Sequence, residues 1–110
     1  MTGESSDVQK ILQCIDDGLE ILGKSNKQTI YYHLEKKVGL KKDEIPEDPE
    51  TFSRGLILMF GEEGANIIEK WIIEKLGQSF HLEKQPEMTF VKAVNTIRTK
   101  QEKVNNTDPK

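Results

Sequence analysis

The chain has one cysteine, two histidines and no apolar run near the roughly 18 residues of a membrane span, and each scarcity removes a class of function. Cys14 alone can form no intramolecular disulfide and no thiolate cluster for zinc, which fits a reducing cytoplasm. His33 and His81 are accompanied by no HExxH, no cysteine pair and no acidic calcium loop, so neither a metal nor another cofactor is expected. Walker and dinucleotide fingerprints are missing too. Residues 1–7 lack the basic and apolar parts of a secretory signal, so secretion is not expected.

Positive charge is also short. Sixteen Lys and Arg against nineteen Asp and Glu leave a net charge of −3, which disfavours general binding to nucleic acid. Lys36, Lys37, Lys41 and Lys42 do cluster, but Asp43, Glu44, Glu47, Asp48 and Glu50 follow at once. The pattern is a charge dipole and not a phosphate track.

What remains is 110 residues, 35% hydrophobic and 32% charged, the makeup of one domain with a thin core. Val8, Ile11, Leu12, Ile15, Leu19 and Leu22 recur at helical spacing, with Cys14 and Ile21 widening the stripe, Ser6 and Gln9 as a capping box, and Gly23 as a stop. Ser25 and Gln28 repeat the capping spacing before Ile30, Tyr31, Leu34 and Val38, and Gly39 closes that helix with Leu40 folding back. The two segments predict a helical hairpin. Residues 41–47 are a connector anchored by Ile45. Asp48 and Pro49 then open a third helix, whose inner face is Phe52, Leu56, Met59 and Phe60.

Gly61 interrupts, and Ala65, Ile67, Ile68, Trp71, Ile72, Ile73 and Leu76 cover more than one stripe, so the fourth helix is the central one, ending at Gly77. Residues 78–85 read as a link with Phe80 and Leu82 in extended alternation. Pro86 opens a fifth helix carrying Phe90, Val91, Val94 and Ile97. The expected fold is all-α: a single small bundle of four to five helices over residues 6–102, a flexible start at 1–5 and a disordered tail at 103–110.

The run Ile30-Tyr31-Tyr32-His33-Leu34-Glu35-Lys36-Lys37-Val38-Gly39-Leu40, then Ile45-Pro46, Pro49 with Phe52, and Phe60-Gly61-Glu62-Glu63-Gly64-Ala65, resembles a small archaeal family of signalling output domains, the Nitrosopumilus output domain type. The likeness covers about residues 8–76, and its motifs are structural. It implies a role in signal transduction and no active site.

Chemical candidates are few. His33 lies a turn from Lys36 and Lys37 but has no orienting carboxylate in sequence, and reads as structural. Asp16 and Asp17 point about 100° apart on a helix, so they read as a solvated face and not a catalytic pair. Glu62 and Glu63 suit the positive end of the following helix and would repel a phosphate there. Tyr31, Tyr32 and Trp71, with Lys36 and Lys37, form the candidate interaction surface, since Tyr and Trp are favoured interface anchors. The expected function is a non-enzymatic protein-interaction or signal-output module in the cytoplasm, with a protein partner or self-association as a homodimer and no membrane. The alternatives are a DNA-binding regulator with a helix-turn-helix around Gly61, and a sensor holding a small apolar ligand among Phe52, Phe60 and Trp71.

Overall fold

The computed structural model describes residues 3–83 and 87–106, with side chains for 7–83 and 87–99 among them. The described residues form helices and no strand. Helix α1 spans Gly3–Leu19, α2 Lys24–Val38, α3 Pro49–Phe80 and α4 Phe90–Asn106, with 3-10 turns at Glu20–Leu22 and Lys42–Glu47. Helix α3 is broken once, at Gly61 (φ 78, ψ 170), into a first arm (residues 49–60) and a second arm (residues 62–80). The all-α bundle and its opening hairpin are therefore as the sequence predicts.

The core follows the helical stripes. Ile11, Cys14, Ile15 and Leu19 of α1 meet Ile30 and Leu34 of α2, Phe52 and Leu56 of the first arm, and Ala65, Ile68, Ile72 and Leu76 of the second. Both α1 and α4 pack on α3, which is the strut of the bundle. The Phe52 and Phe90 rings, both fully buried, stack tilted at 49° with centroids 4.9 Å apart. At Gly18, α1 runs so close to α3 that an added Cβ would lie 2.7 Å from Cγ1 of Ile72 and 3.0 Å from its Cα.

Local signals set several boundaries. Gly39 is left-handed, its N–H bonds to the Glu35 carbonyl at 3.1 Å, and the Leu40 N–H returns to Leu34 at 3.2 Å, turning Leu40 into the core. Asp48 caps α3, accepting from the Thr51 N–H at 3.3 Å and its hydroxyl at 2.8 Å. Ile45 anchors the connector, which is a 3-10 turn containing Pro46.

Other boundaries moved. Helix α1 starts at Gly3, because no proline or required left-handed residue stops it at Ser6. The cap of α2 is Gly23 and not Ser25: the Gly23 carbonyl already accepts from the Lys27 N–H at 2.9 Å, and Asn26 ties back to the Leu22 carbonyl at 2.7 Å. Ile21 is exposed instead of widening the α1 stripe, since the chain tightens there into the 3-10 turn. Helix α3 does not end at Gly77 but runs to Phe80 and stops at left-handed His81. Two α1 contacts hold that extra turn, Lys10 over the Phe80 ring at 5.0 Å and the Cys14 sulfur 3.3 Å from the Ser79 hydroxyl. Residues 78–80 are thus helical, not an extended link.

Pro86 lies outside the described residues. Thr89 caps α4, its hydroxyl accepting from the Lys92 N–H at 3.1 Å. Phe90, Ala93, Val94 and Ile97 face the core, and Arg98 donates to the Pro46 carbonyl at 3.0 Å. Helix α4 continues to Asn106, and residues 107–110 of the expected tail are outside the described residues.

Candidate functional site

Two surface regions have a defined geometry, one polar and one apolar. The polar one is built on α1, α2 and the second 3-10 turn. Asp16 accepts a hydrogen bond from the Tyr31 hydroxyl at 2.8 Å, from the Lys27 ammonium at 3.1 Å, and pairs with Lys42 at 3.2 Å. Lys27 also reaches Glu20 at 2.6 Å, and Lys42 sits over the Tyr31 ring at 5.0 Å.

Asp16 is therefore the centre of a network and not part of a solvated face; only Asp17 is exposed, bound by Gln13 at 2.9 Å. Partial burial acts to raise the Asp16 carboxyl, but the hydrogen bonds from Tyr31, Lys27 and Lys42 outweigh it and hold the group below its ordinary 3.8. Burial first, then the hydrogen bond to Asp16 and the Asp16 charge, push the Tyr31 phenol far above its ordinary 10.0. Such a network ties α1 to α2 and to the second 3-10 turn. Burial pushes the Cys14 thiol up despite the hydrogen bond to Ser79.

The apolar region lies where α2 meets the first arm of α3. A groove of about 520 Å³ has Leu22, Ile30 and Met59 as its floor, Leu58 and Phe60 on the rim, and Asn26, Thr29, His33 and Lys37 along the α2 side. Leu58 is 64% exposed and Phe60 42%, with Ile57 beside them and Ile67, 51% exposed, on the second arm. Phe60 was expected on the inner face; it stands outside because the backbone leaves the helical path directly after it at Gly61.

The sequence-predicted surface residues do not converge. Tyr31 is half-buried in the Asp16 network. Tyr32 is 58% exposed, with the Lys36 ammonium 5.7 Å from its ring and His33 edge-on at 5.4 Å. Lys37 lines the groove, whereas Trp71 is half-buried against the core on the second arm of α3. The aromatic trio named for a small-ligand site is also divided, Phe52 fully buried and Phe60 at the surface.

Leu58 and Ile57 were missed, yet the sequence carried a signal for them. Residues 56–60 are five consecutive apolar residues, and a helix packed on one side can bury only part of such a run. The Ser53–Glu69 pair was also missed: the hydroxyl donates at 2.5 Å to the carboxylate of Glu69, a residue only 8% exposed, joining the two arms across Gly61.

Among the described residues no three His, Cys, Asp or Glu side chains are placed to share a metal ion, and no helix is long and apolar enough to cross a membrane. The break at Gly61 is a single residue, shorter than the three- or four-residue turn of a helix-turn-helix. Comparison with family models, curated proteins and solved structures finds no match for this chain.

Proposed function

We propose that the chain is a non-enzymatic protein-interaction module of the cytoplasm, an output element in signalling, and that it docks its partner in the groove between α2 and the first arm of α3. The observation that carries this reading is the exposure of Leu58 and Phe60 on the rim of a groove with an apolar floor. Single exposed leucines are ordinary on protein surfaces; Leu58 and Phe60 together at the rim of a concavity floored by Leu22, Ile30 and Met59 favour an interaction site. The groove places four polar side chains of α2, Asn26, Thr29, His33 and Lys37, along its edge, which suits orientation of a bound segment more than bond-making chemistry. The signalling part of the proposal draws on the resemblance of residues 8–76 to archaeal output domains.

The DNA-binding alternative has less support, since exposed Glu62 and Glu63 follow the break directly, where phosphates would approach. A photo-cross-linking residue placed at Leu58 tests the docking reading in lysate of the source organism. Protein adducts should form there, not form from exposed Asn95 on α4, and disappear in a Phe60→Glu background. Equal labelling from positions 58 and 95 would refute it.

A further inference from the structure

Helix α2 is held unevenly along its length. Its first six residues, Lys24, Ser25, Asn26, Lys27, Gln28 and Thr29, include no apolar side chain, and all but Lys27 are exposed. Local signals also work against a helix there. No side chain caps its start at Gly23 and no acid stands in the first turn, while Lys24 sits at the positive end of the helix dipole with Lys27 close behind. Ser25, Asn26 and Thr29 are weak helix formers. The far end of α2 is the opposite case. Lys36 and Lys37 suit the negative end of the dipole, and Leu40 is buried behind left-handed Gly39. Leu34 and Val38 sit against Gly55 so closely that a Cβ added there would lie 2.5 Å from Cδ2 of Leu34.

A segment with few buried contacts opens at a lower free energy than the rest of its domain. Polar contacts close this one. Asn26 donates to the Leu22 carbonyl at 2.7 Å across the Gly23 turn, and Lys27 reaches Asp16 of α1 at 3.1 Å and Glu20 of the first 3-10 turn at 2.6 Å. The Lys27 side chain is only 13% exposed, so salt screens this contact less than it would an open surface pair. Gly23 has φ 102 and no atom nearer than 4.0 Å to an added Cβ, which leaves the chain room to turn there. Asn26 and Thr29 line the groove, so movement of these two turns changes its width. We propose that residues 24–29 are a flap on the groove, opening about Gly23 while Leu34 and Val38 stay seated, and that Lys27 is the clasp that holds it shut. The flap is a property of the free chain and does not depend on what the groove binds.

Amide hydrogen exchange on the full chain, resolved by residue with NMR, reads such a flap. Corrected for intrinsic rates, the amides of residues 28–30 should exchange at least about tenfold faster than those of residues 35–38 in the same helix. Lys27→Met keeps the helix propensity and lifts a positive charge from the wrong end of the dipole, so without a clasp it would leave exchange at residues 28–30 unchanged or slow it. The expected result is the reverse sign, an acceleration of at least about threefold. Ile97→Val separates the flap from unfolding of the whole chain. Ile97 is buried on α4, and its packing persists when the flap opens, so this variant should speed exchange at residues 72–76 of α3 by about two- to tenfold and leave residues 28–30 as they were. Even protection along α2, a Lys27→Met chain no faster at residues 28–30, or an Ile97→Val chain that speeds residues 28–30 as much as residues 72–76 overturns the proposal.

Discussion

The Tyr31 hydroxyl donates to Oδ1 of Asp16 at 2.8 Å, joining the second helix of the hairpin to the first. A ring that the sequence offers as an interface anchor is thereby committed to the fold, and Lys42 over its face closes the remaining side.

Tyr31→Phe removes that bond while Lys27 and Lys42 stay on Asp16, so the loss should fall near the low end for a hydrogen bond to a charged group, about 1–2 kcal/mol by denaturant titration. The same bond contributes to the pH dependence. Asp16 has its folded-state value depressed, so its contribution to stability is fully present above the ordinary 3.8 and is lost as pH falls from there through the lower folded value. Acid unfolding of Tyr31→Phe should be less steep in that window, since less of the depression remains. An unchanged acid limb would show that Tyr31 does not hold the carboxylate.

Ser53 and Glu69 give a second prediction, because their part-buried hydrogen bond spans the Gly61 break and Glu69 is a buried residue. Ser53→Ala leaves that carboxylate without its hydroxyl donor and should cost about 1.5–3 kcal/mol. Combining Ser53→Ala with Glu69→Met removes both polar partners and should restore most of the loss, since apolar replacement of a whole buried pair is often near neutral. Thermal melts of the two single variants and the pair measure this. A double variant as unstable as the sum of the singles would show that the two residues act independently.

Which features were legible in the sequence follows from the range of the forces that set them. The ending at Val38-Gly39-Leu40 and the start at Asp48-Pro49 depend on residues a few positions apart, and both stand where the pattern put them. Phe52, Leu56, Ile68, Ile72 and Leu76 are buried because helical periodicity already placed them on inner faces. The end of α3 was misplaced because Lys10 and Cys14, more than sixty positions away, hold the turn after Gly77. Asp16 was misread for the same reason: Tyr31, Lys27 and Lys42 come to it from other elements. The groove was half legible. Five apolar residues in a row at 56–60 announce that some must face out, but only the path of the chain at Gly61 decides that Leu58 and Phe60 are the ones.

Close approach at Gly18 makes a third prediction. Alanine is the better helix former by up to about 1 kcal/mol, yet here its Cβ would press on the Ile72 backbone, at 3.0 Å from Cα and 3.1 Å from N. A flexible side chain can move aside, but a helix backbone cannot without shifting α1 off the strut. Gly18→Ala should therefore be destabilising on balance, by about 1–3 kcal/mol, the range for overpacking a well-filled interior. Chemical denaturation decides the sign, and a stabilised variant would mean that α1 and α3 are less tightly seated than the distances indicate.

Gly61 and Gly77 lie in the same helix, and at neither would an added Cβ meet an atom within 4 Å, so steric contact cannot separate their replacement by alanine. Backbone conformation does. Gly61 has φ 78 and ψ 170, a region essentially closed to residues with a Cβ, and Gly61→Ala should cost about 1–3 kcal/mol. Gly77 is in the helical run between Ile72 and Phe80, where alanine restricts the unfolded chain and fits the native one, so Gly77→Ala should add about 0.5–1 kcal/mol. The two effects should therefore have opposite signs in one denaturation series. The loss at Gly61 is also the one that should disturb the groove, because Phe60 is carried to its rim by that break. Leu58 adducts should fall in Gly61→Ala and persist in Gly77→Ala; if the groove survives loss of the glycine, the break is not what presents it.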